Sequence, residues 1–265
     1  MRRSLDDCRV LVTGASSGLG RELALALARR RAKVLVTGRR EDLLQPLVDE
    51  CRRLGADASC VAGDVSEPAC RRDLIAAAHK RWGGLDVLVN NAGVSAHGRF
   101  ADGDETTLRR ILEVNFFAAV ELTRLALPLL RAGRRPAILN IGSILGHRAA
   151  PLNSEYSASK AALRGWSEAL RAELAREGVD VLQVSPGTIG TEFFDHLLAK
   201  RGNLPWGRAR CISPAAAAEQ IVRALERGRR EIFPNWRGRA LVLANRLCPA
   251  LVDRVMVKLG RRDDN

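Results

Sequence analysis

Aromatic residues make up only 4% of the 265 residues, and tyrosine occurs once, as Tyr156. If a tyrosine does chemistry in this chain, it is that one. The six cysteines (Cys8, Cys51, Cys60, Cys70, Cys211 and Cys248) form no CxxC pair, and the four histidines are scattered. A zinc site draws on clustered ligands of these types, so no metal is expected. Unpaired thiols point instead to a reducing compartment. There is no run of about 18 apolar residues, so no membrane-spanning helix is expected. The first residues run almost directly into a strand without a leader-type apolar stretch, and the expected location is the cytoplasm. Acidic residues are in deficit, 30 against 43 basic ones, for a net charge of +13. Such a charge suits nucleic acid, anionic lipid or an anionic substrate. The basic residues are spread along the chain, however, and no basic patch is interleaved with aromatics. A nucleic-acid partner is therefore not expected, and a solvated arginine-rich surface accounts for the charge.

What is present is a regular alternation. Val10-Leu11-Val12 is a short apolar run ending in a glycine-rich turn, the pattern of a buried strand. Residues 20–31 follow with Leu23, Leu27 and several alanines at helical spacing. The series continues with strand 33–37, helix 41–54, strand 58–62, helix 67–82 and strand 87–90. Next come a long helix around 107–131, strand 137–141, helix 154–177 and strand 180–185. Ser213-Pro214 opens a helix reaching 227, serine as N-cap and proline at the first helical position. A short strand, 231–233, comes last. Strands alternating with helices imply parallel pairing through right-handed crossovers, an α/β doubly wound parallel sheet of Rossmann type. The expected division is one catalytic domain over residues 1–236 and a helical extension over 237–265. Such a sheet binds ligands beyond the carboxyl ends of its strands.

The unusual residues fall at those ends. Strand one is followed by Thr13-Gly14-Ala15-Ser16-Ser17-Gly18-Leu19-Gly20 and then a helix. Glycines let the backbone turn sharply and approach a pyrophosphate, and the helix N-terminus offers free N–H groups to it. The spacing is GxxxGxG. Strand two ends in Thr37-Gly38-Arg39-Arg40, without the acidic residue that holds the ribose 2′-hydroxyl of NAD. Arg39 and Arg40 suit a 2′-phosphate, hence NADP (as NADPH), through charge-assisted bonds. The alternative is a solvated arginine pair. Asp64-Val65 follows strand three and Asn90-Asn91-Ala92-Gly93 follows strand four. Tyr156 and Lys160 lie at i and i+4, on one helical face. A nearby ammonium would lower the phenol pKa from near 10 toward a working range. Ser143 follows the strand AILNI, and Asn115 is an amide among apolar neighbours. Taken singly, Ser143 reads as a turn residue and Asn115 as a satisfied core amide.

In order and spacing these segments resemble the classical short-chain dehydrogenases/reductases. TGxxxGxG resembles the family's cofactor fingerprint, Asp64-Val65 its adenine-contacting pair and NNAG its sheet-stabilising motif. Arg39 stands where NADP-preferring members carry arginine. Asn115, Ser143, Tyr156 and Lys160 match the Asn-Ser-Tyr-Lys tetrad. The resemblance implies that Tyr156 exchanges a proton with the substrate oxygen and that Ser143 hydrogen-bonds that oxygen. It further implies that Lys160 lowers the tyrosine pKa and contacts the nicotinamide ribose, and that Asn115 holds a water in a proton relay. Pro186-Gly187-Thr188-Ile189-Gly190-Thr191 resembles the PGxxxT segment that fixes the carboxamide, with Pro186, Gly187, Ile189 and Thr191 as its contacts. One departure stands out: the family usually carries two small hydroxyl residues before the catalytic loop, and here the first is Gly142.

The family places a substrate lid at residues 192–210, where Phe193, Phe194, Leu197, Leu198 and Trp206 either wall an apolar pocket or simply pack the lid. The first reading implies a lipid-like, steroid-like or acyl-like carbonyl/alcohol substrate. Beyond Pro234 the chain is apolar at helical spacing (Leu241, Leu243, Leu247, Leu251, Val255, Leu259) and studded with Arg237, Arg239, Arg246, Arg254, Arg261 and Arg262. Pro249 kinks or splits this helix. It either packs on the core, packs on a partner or makes peripheral contact with an anionic membrane; packing is preferred, because most amphipathic helices pack. The family also implies a homodimer or homotetramer through the long helices. The expectation is an NADP-dependent oxidoreductase acting on a small-molecule carbonyl/alcohol pair. The alternative is a non-catalytic NADP-binding sensor of the same fold, against which the intact tetrad argues.

Overall fold

The computed structural model describes residues 3–201 and 211–260. A seven-stranded, wholly parallel sheet runs through its centre. Its strands are β1 (Arg9–Val12), β2 (Lys33–Gly38), β3 (Ala58–Ala62), β4 (Val87–Asn90), β6 (Ala137–Ile141), β7 (Asp180–Val184) and β9 (Glu231–Ile232), in the order β3-β2-β1-β4-β6-β7-β9. The order reverses between β1 and β4, which opens a crevice at their carboxyl ends. Strands β1, β4 and β6 are nearly continuous apolar runs because helices cover both faces.

One layer holds α1 (Gly18–Ala28), α2 (Glu41–Arg53) and α7 (Pro214–Glu226), packed over Val10, Val12, Val34, Val36 and Leu139. The other holds α3 (Pro68–Trp82), α5 (Ala118–Arg131) and α6 (Ser154–Leu174), over Leu11, Leu35, Leu88 and Ile138. Neighbouring strand positions thus feed opposite cores, as the period of two requires. At full burial each leucine contributes about 2 kcal/mol.

The long helix expected around 107–131 is interrupted. It runs as α4 (Glu105–Leu112), one π-helical turn (Glu113–Phe117) and α5. Single π turns inside α-helices frequently mark functional positions, and this one carries Asn115. A two-stranded sheet of β5 (His97–Gly98) and β8 (Lys200–Arg201), too short to show a pattern, lies beside the cleft. Pro249 divides the terminal segment into α8 (Trp236–Leu247) and α9 (Pro249–Gly260). Among the described residues no helix is long and apolar enough to cross a membrane.

Candidate active site

A cleft of about 420 Å³ lies over the carboxyl ends of the strands. All the expected cofactor residues line it, and so do Ser143, Tyr156 and Lys160. Asn115 does not; it is buried behind the wall. Of the lid residues, Phe193 and Phe194 line the cleft, Leu197 and Leu198 do not, and Trp206 lies outside the described residues.

The glycine-rich turn is held by its neighbours. Asn91 Nδ2 donates to the carbonyls of Thr13 (2.9 Å) and Gly14 (3.0 Å). Thr13 Oγ1 accepts from the backbone N–H groups of Asn91 and Ala92. Gly14 has φ +63°, and a Cβ on Gly20 would lie 2.2 Å from the Gly14 carbonyl oxygen and 2.4 Å from Asn91 Nδ2. The turn can hold this shape only with glycine at those places, and it leaves the N-terminus of α1 facing the cleft. That end is free of acidic residues in its first turn, as suits a bound anion. Thr191 reaches across to the same turn, since a Cβ on Gly18 would lie 3.2 Å from its side chain. The residues present therefore fit a dinucleotide laid along the cleft.

Arg39 is exposed at the end of β2, and Arg40 Nη2 donates to Ser17 Oγ at 2.7 Å. Asp64, which follows β3 and lines the cleft, is already engaged. It accepts from Ser66 N (2.9 Å), Ser66 Oγ (2.6 Å) and Arg110 Nη2 (2.5 Å). Burial pushes its carboxyl up, but these Ser66 and Arg110 bonds outweigh it and leave the pKa below the ordinary aspartate value. Arg110, on α4, lines the cleft. Sequence reasoning missed it, because nothing in Leu108-Arg109-Arg110 distinguishes the arginine that meets Asp64 from the solvated one beside it.

At the catalytic end, β6 delivers Ser143 in extended backbone, and α6 presents Tyr156 and Lys160 one turn apart. Ser143 stands beside the Tyr156 phenol, close enough to favour its ionised form, and its hydroxyl accepts from Leu145 N at 3.1 Å. Lys160 is buried; its Nζ donates to the Ile141 carbonyl at 2.9 Å and lies 5.7 Å from the centre of the tyrosine ring. Here the expected lowering of the tyrosine pKa is corrected. Burial pushes the phenol up to about 12, partly countered by Ser143, and pushes the lysine down to about 8. Both groups sit where the charged form of each loses hydration, and the lysine is turned toward a carbonyl rather than the phenol oxygen.

Asn115 spends its amide on the fold. Its Oδ1 accepts from Val94 N (2.8 Å), and its Nδ2 donates to Val94 O and Ser159 Oγ (both 2.9 Å). It thereby ties the π turn to the segment that follows NNAG and to α6. Only Gly93 separates it from the lysine, because a Cβ there would sit 3.3 Å from Asn115 Oδ1 and 3.5 Å from Lys160 Nζ. The first asparagine of NNAG is structural. Asn90 Nδ2 donates to Thr123 Oγ1 and Asn140 Oδ1, and Asn140 Nδ2 to Ser167 Oγ, a buried polar ladder joining the two central strands to α5 and α6.

The departure at Gly142 has a local cause. A Cβ there would meet Gln183 Nε2 at 2.1 Å, and Gln183 is buried on the adjacent strand. The glutamine amide fills the space a serine would need, so a side chain at 142 requires the glutamine to move or shrink. Gly142→Ser alone is expected to cost about 2–3 kcal/mol, the price of overpacking. Adding Gln183→Ala should recover most of it. Urea unfolding of the two variants checks this; a double variant no more stable than the single one contradicts it.

Comparison with known proteins agrees with this geometry. The model of the short chain dehydrogenase family matches residues 9–202. The oxidoreductase YxnA of Bacillus subtilis is 34% identical over 261 residues, 97% of this chain and 73% of that protein. An Arabidopsis thaliana protein named 11-beta-hydroxysteroid dehydrogenase-like 4A is 37% identical over 249 residues, 92% of this chain and 81% of its own length. Among solved structures, a short-chain dehydrogenase/reductase from Burkholderia phymatum, in complex with NAD, superposes with a TM-score of 0.85 at 24% identity. That alignment covers 94% of this chain and 96% of the other, and it speaks to the fold.

Proposed function

The chain belongs to the short-chain dehydrogenase family, whose members are NAD(P)-dependent oxidoreductases interconverting carbonyls and alcohols, and we propose that it is an NADPH-dependent reductase of an apolar carbonyl substrate. The observation that carries this reading is the gathering of Ser143, Tyr156 and Lys160 along one cleft, with Lys160 Nζ 5.7 Å from the centre of the tyrosine ring. A phenol held protonated is a proton donor at neutral pH. Tyr156 would give its proton to the carbonyl oxygen, and Ser143 would stabilise the negative charge developing there. Lys160, charged below about pH 8, would hold the site positive while that happens, and Asn115 would keep the π turn and α6 in register. The nicotinamide, when bound, supplies the hydride. In the reverse direction the same groups would remove a proton from an alcohol. Nothing favours the sensor alternative in a site with these four side chains in place.

For the cofactor, support comes from the exposed Arg39 and from the lack of any carboxylate at the end of β2. Among the described residues, the acidic ones lining the cleft are Asp64 and Glu192, and Asp64 is tied to Arg110. For the substrate, Phe193 lies 5.9 Å from the Tyr156 ring, centre to centre, with Phe194 stacked edge-on against it. We further read residues 1–236 as the catalytic unit and 237–265 as an extension. Free thiols at all six cysteines suit the cytoplasm. Exposed Phe117 and Leu125, beside and on α5, suit a homo-oligomer through the long helices.

The test is oxidation of NADPH and NADH, followed at 340 nm, against ketones, aldehydes, β-ketoacyl thioesters and steroids. Wild type is expected to prefer NADPH. Arg39→Ala should lower that preference about 10- to 100-fold, the loss of one charge-assisted contact, while leaving turnover with NADH within about twofold. An unchanged preference would remove Arg39 from the cofactor site. Tight NADPH binding without turnover on any substrate would favour the sensor.

A further inference from the structure

Helices α8 and α9 bury one face and leave an unusual surface on the other. Gly238 and Val242 of α8, with Val252 and Met256 of α9, turn inward. A Cβ on Gly238 would lie 2.6 Å from Ile144 Cγ2, and Val252 and Met256 join Ala150, Leu145, Leu241 and Leu259 in one apolar cluster. Of the packing on core or partner preferred from sequence, this face takes the core. The outward face is apolar as well. Trp236 is 73% exposed, Leu243 55%, Leu247 72% and Leu251 60%, and Val255 and Val257 about half. At 100° per residue Trp236, Leu243 and Leu247 fall within roughly 40° of one another. They lie opposite Gly238 and Val242. The centre of an outward helix face is where a water-facing helix carries charge; here the charge sits on its flanks.

Those flanks are basic. Arg237, Arg239, Arg246, Arg254 and Lys258 stand against a single acidic residue, Asp253. Asp253 is itself bound to Arg148 of the catalytic body at 2.6 Å. An apolar ridge with a tryptophan at one end and, on both sides, cations without an acidic partner among the described residues matches a surface that is apolar below and anionic above. It does not match a second copy of itself, since an isologous contact would bring two such basic faces together. We propose that α8 and α9 seat the protein on an anionic lipid bilayer, with the Trp236–Leu247 ridge and Leu251 dipping among the acyl chains and the arginines at the headgroups. The helix pair backs the wall formed by Ile144 and Leu145, which line the catalytic cleft. A lipid-dissolved carbonyl compound would therefore reach the cleft from the membrane side. That consequence rests on the reductase reading; the docking itself does not.

The experiment is co-sedimentation of the full chain with phosphatidylcholine vesicles, with and without phosphatidylglycerol. Binding is expected to be at least tenfold stronger with phosphatidylglycerol and to fall as salt rises from about 0.1 to 0.5 M. The triple variant Leu243→Gln, Leu247→Gln, Leu251→Gln should lose at least tenfold in partitioning while melting within a few degrees of wild type. Because no turnover is measured, failure here is distinguishable from failure of the reductase reading. Three outcomes overturn the proposal. Wild type stays in the supernatant with anionic vesicles; the triple variant binds as well as wild type, so that charge elsewhere is responsible; or wild type sediments as a dimer that the triple variant splits, with no lipid binding, so that the face belongs to a second copy.

Discussion

Tyr156→Phe is expected to lower turnover by about 10³- to 10⁴-fold while changing the KM for NADPH less than threefold. The substitution removes one oxygen and keeps the ring against Phe193, so packing is preserved and the proton donor is lost. General acid catalysis accounts for about 10²- to 10⁴-fold, and loss of a donor to the developing oxyanion adds to it. No other tyrosine can substitute, because the chain has none. Single-turnover kinetics at saturating NADPH checks the figure, and a variant retaining a tenth of wild-type turnover would exclude Tyr156 as the acid. The pH profile gives an independent reading. Burial holds the phenol near 12 and Lys160 near 8. At pH 7 the phenol is protonated and the lysine mostly charged. As pH rises through about 8 the lysine loses its charge first, so reduction should decline there while the phenol still carries its proton. The lysine also affects stability. Its folded pKa lies below the ordinary value of 10.5, so the unfolded chain binds more protons between about pH 8 and 10.5, and stability rises with pH across that window.

The second large effect is expected at Gly20. An alanine there would place its Cβ 2.2 Å from the Gly14 carbonyl and 2.4 Å from the Asn91 amide. Neither is the free end of a flexible side chain. The carbonyl is backbone, and the amide holds Thr13 and Gly14. The turn must move, and with it the N–H groups that face the cleft. We expect Gly20→Ala to weaken NADPH binding at least 100-fold and to lower stability by about 3 kcal/mol, at the top of the range for overpacking. Titration of NADPH fluorescence and thermal unfolding measure the two separately. Gly165 is the control. It lies within α6 with open space where its Cβ would be, so Gly165→Ala should stabilise by up to about 1 kcal/mol through helix propensity. If Gly20→Ala behaves like Gly165→Ala, the close approach at the turn is not a constraint.

Much of the fold was legible because its signals are local. The apolar runs at Val10–Val12, 87–90 and 137–141 are strands buried on both faces, and the i, i+4 spacing of Tyr156 and Lys160 survives any packing of the helix that carries them. The glycine-rich turn, Arg39, Asp64-Val65 and NNAG followed strands whose carboxyl ends had to meet at one edge once the sheet was parallel, so their convergence followed from topology alone.

What the chain kept hidden depended on partners distant in sequence. The π turn at 113–117 exists because Asn115 bonds to Val94 and Ser159, and no periodicity within the helix announces that. Arg110 became distinct from Arg109 only when α4 came to lie over Asp64. Gly142 stood in the sequence only as a departure from the family pattern; its cause is Gln183, on the neighbouring strand, which occupies the missing side chain's place. The ionisation of Tyr156 and Lys160 was read from sequence as mutual charge stabilisation, but depth of burial reversed the sign for the phenol, because desolvation is a property of the assembled cleft. In the last two helices the sequence by itself determined that they would be amphipathic, basic and broken at Pro249. Only the tertiary structure decided which apolar residues the core would take, for the sheet and its helices have room for one face of each and leave the other to the surroundings.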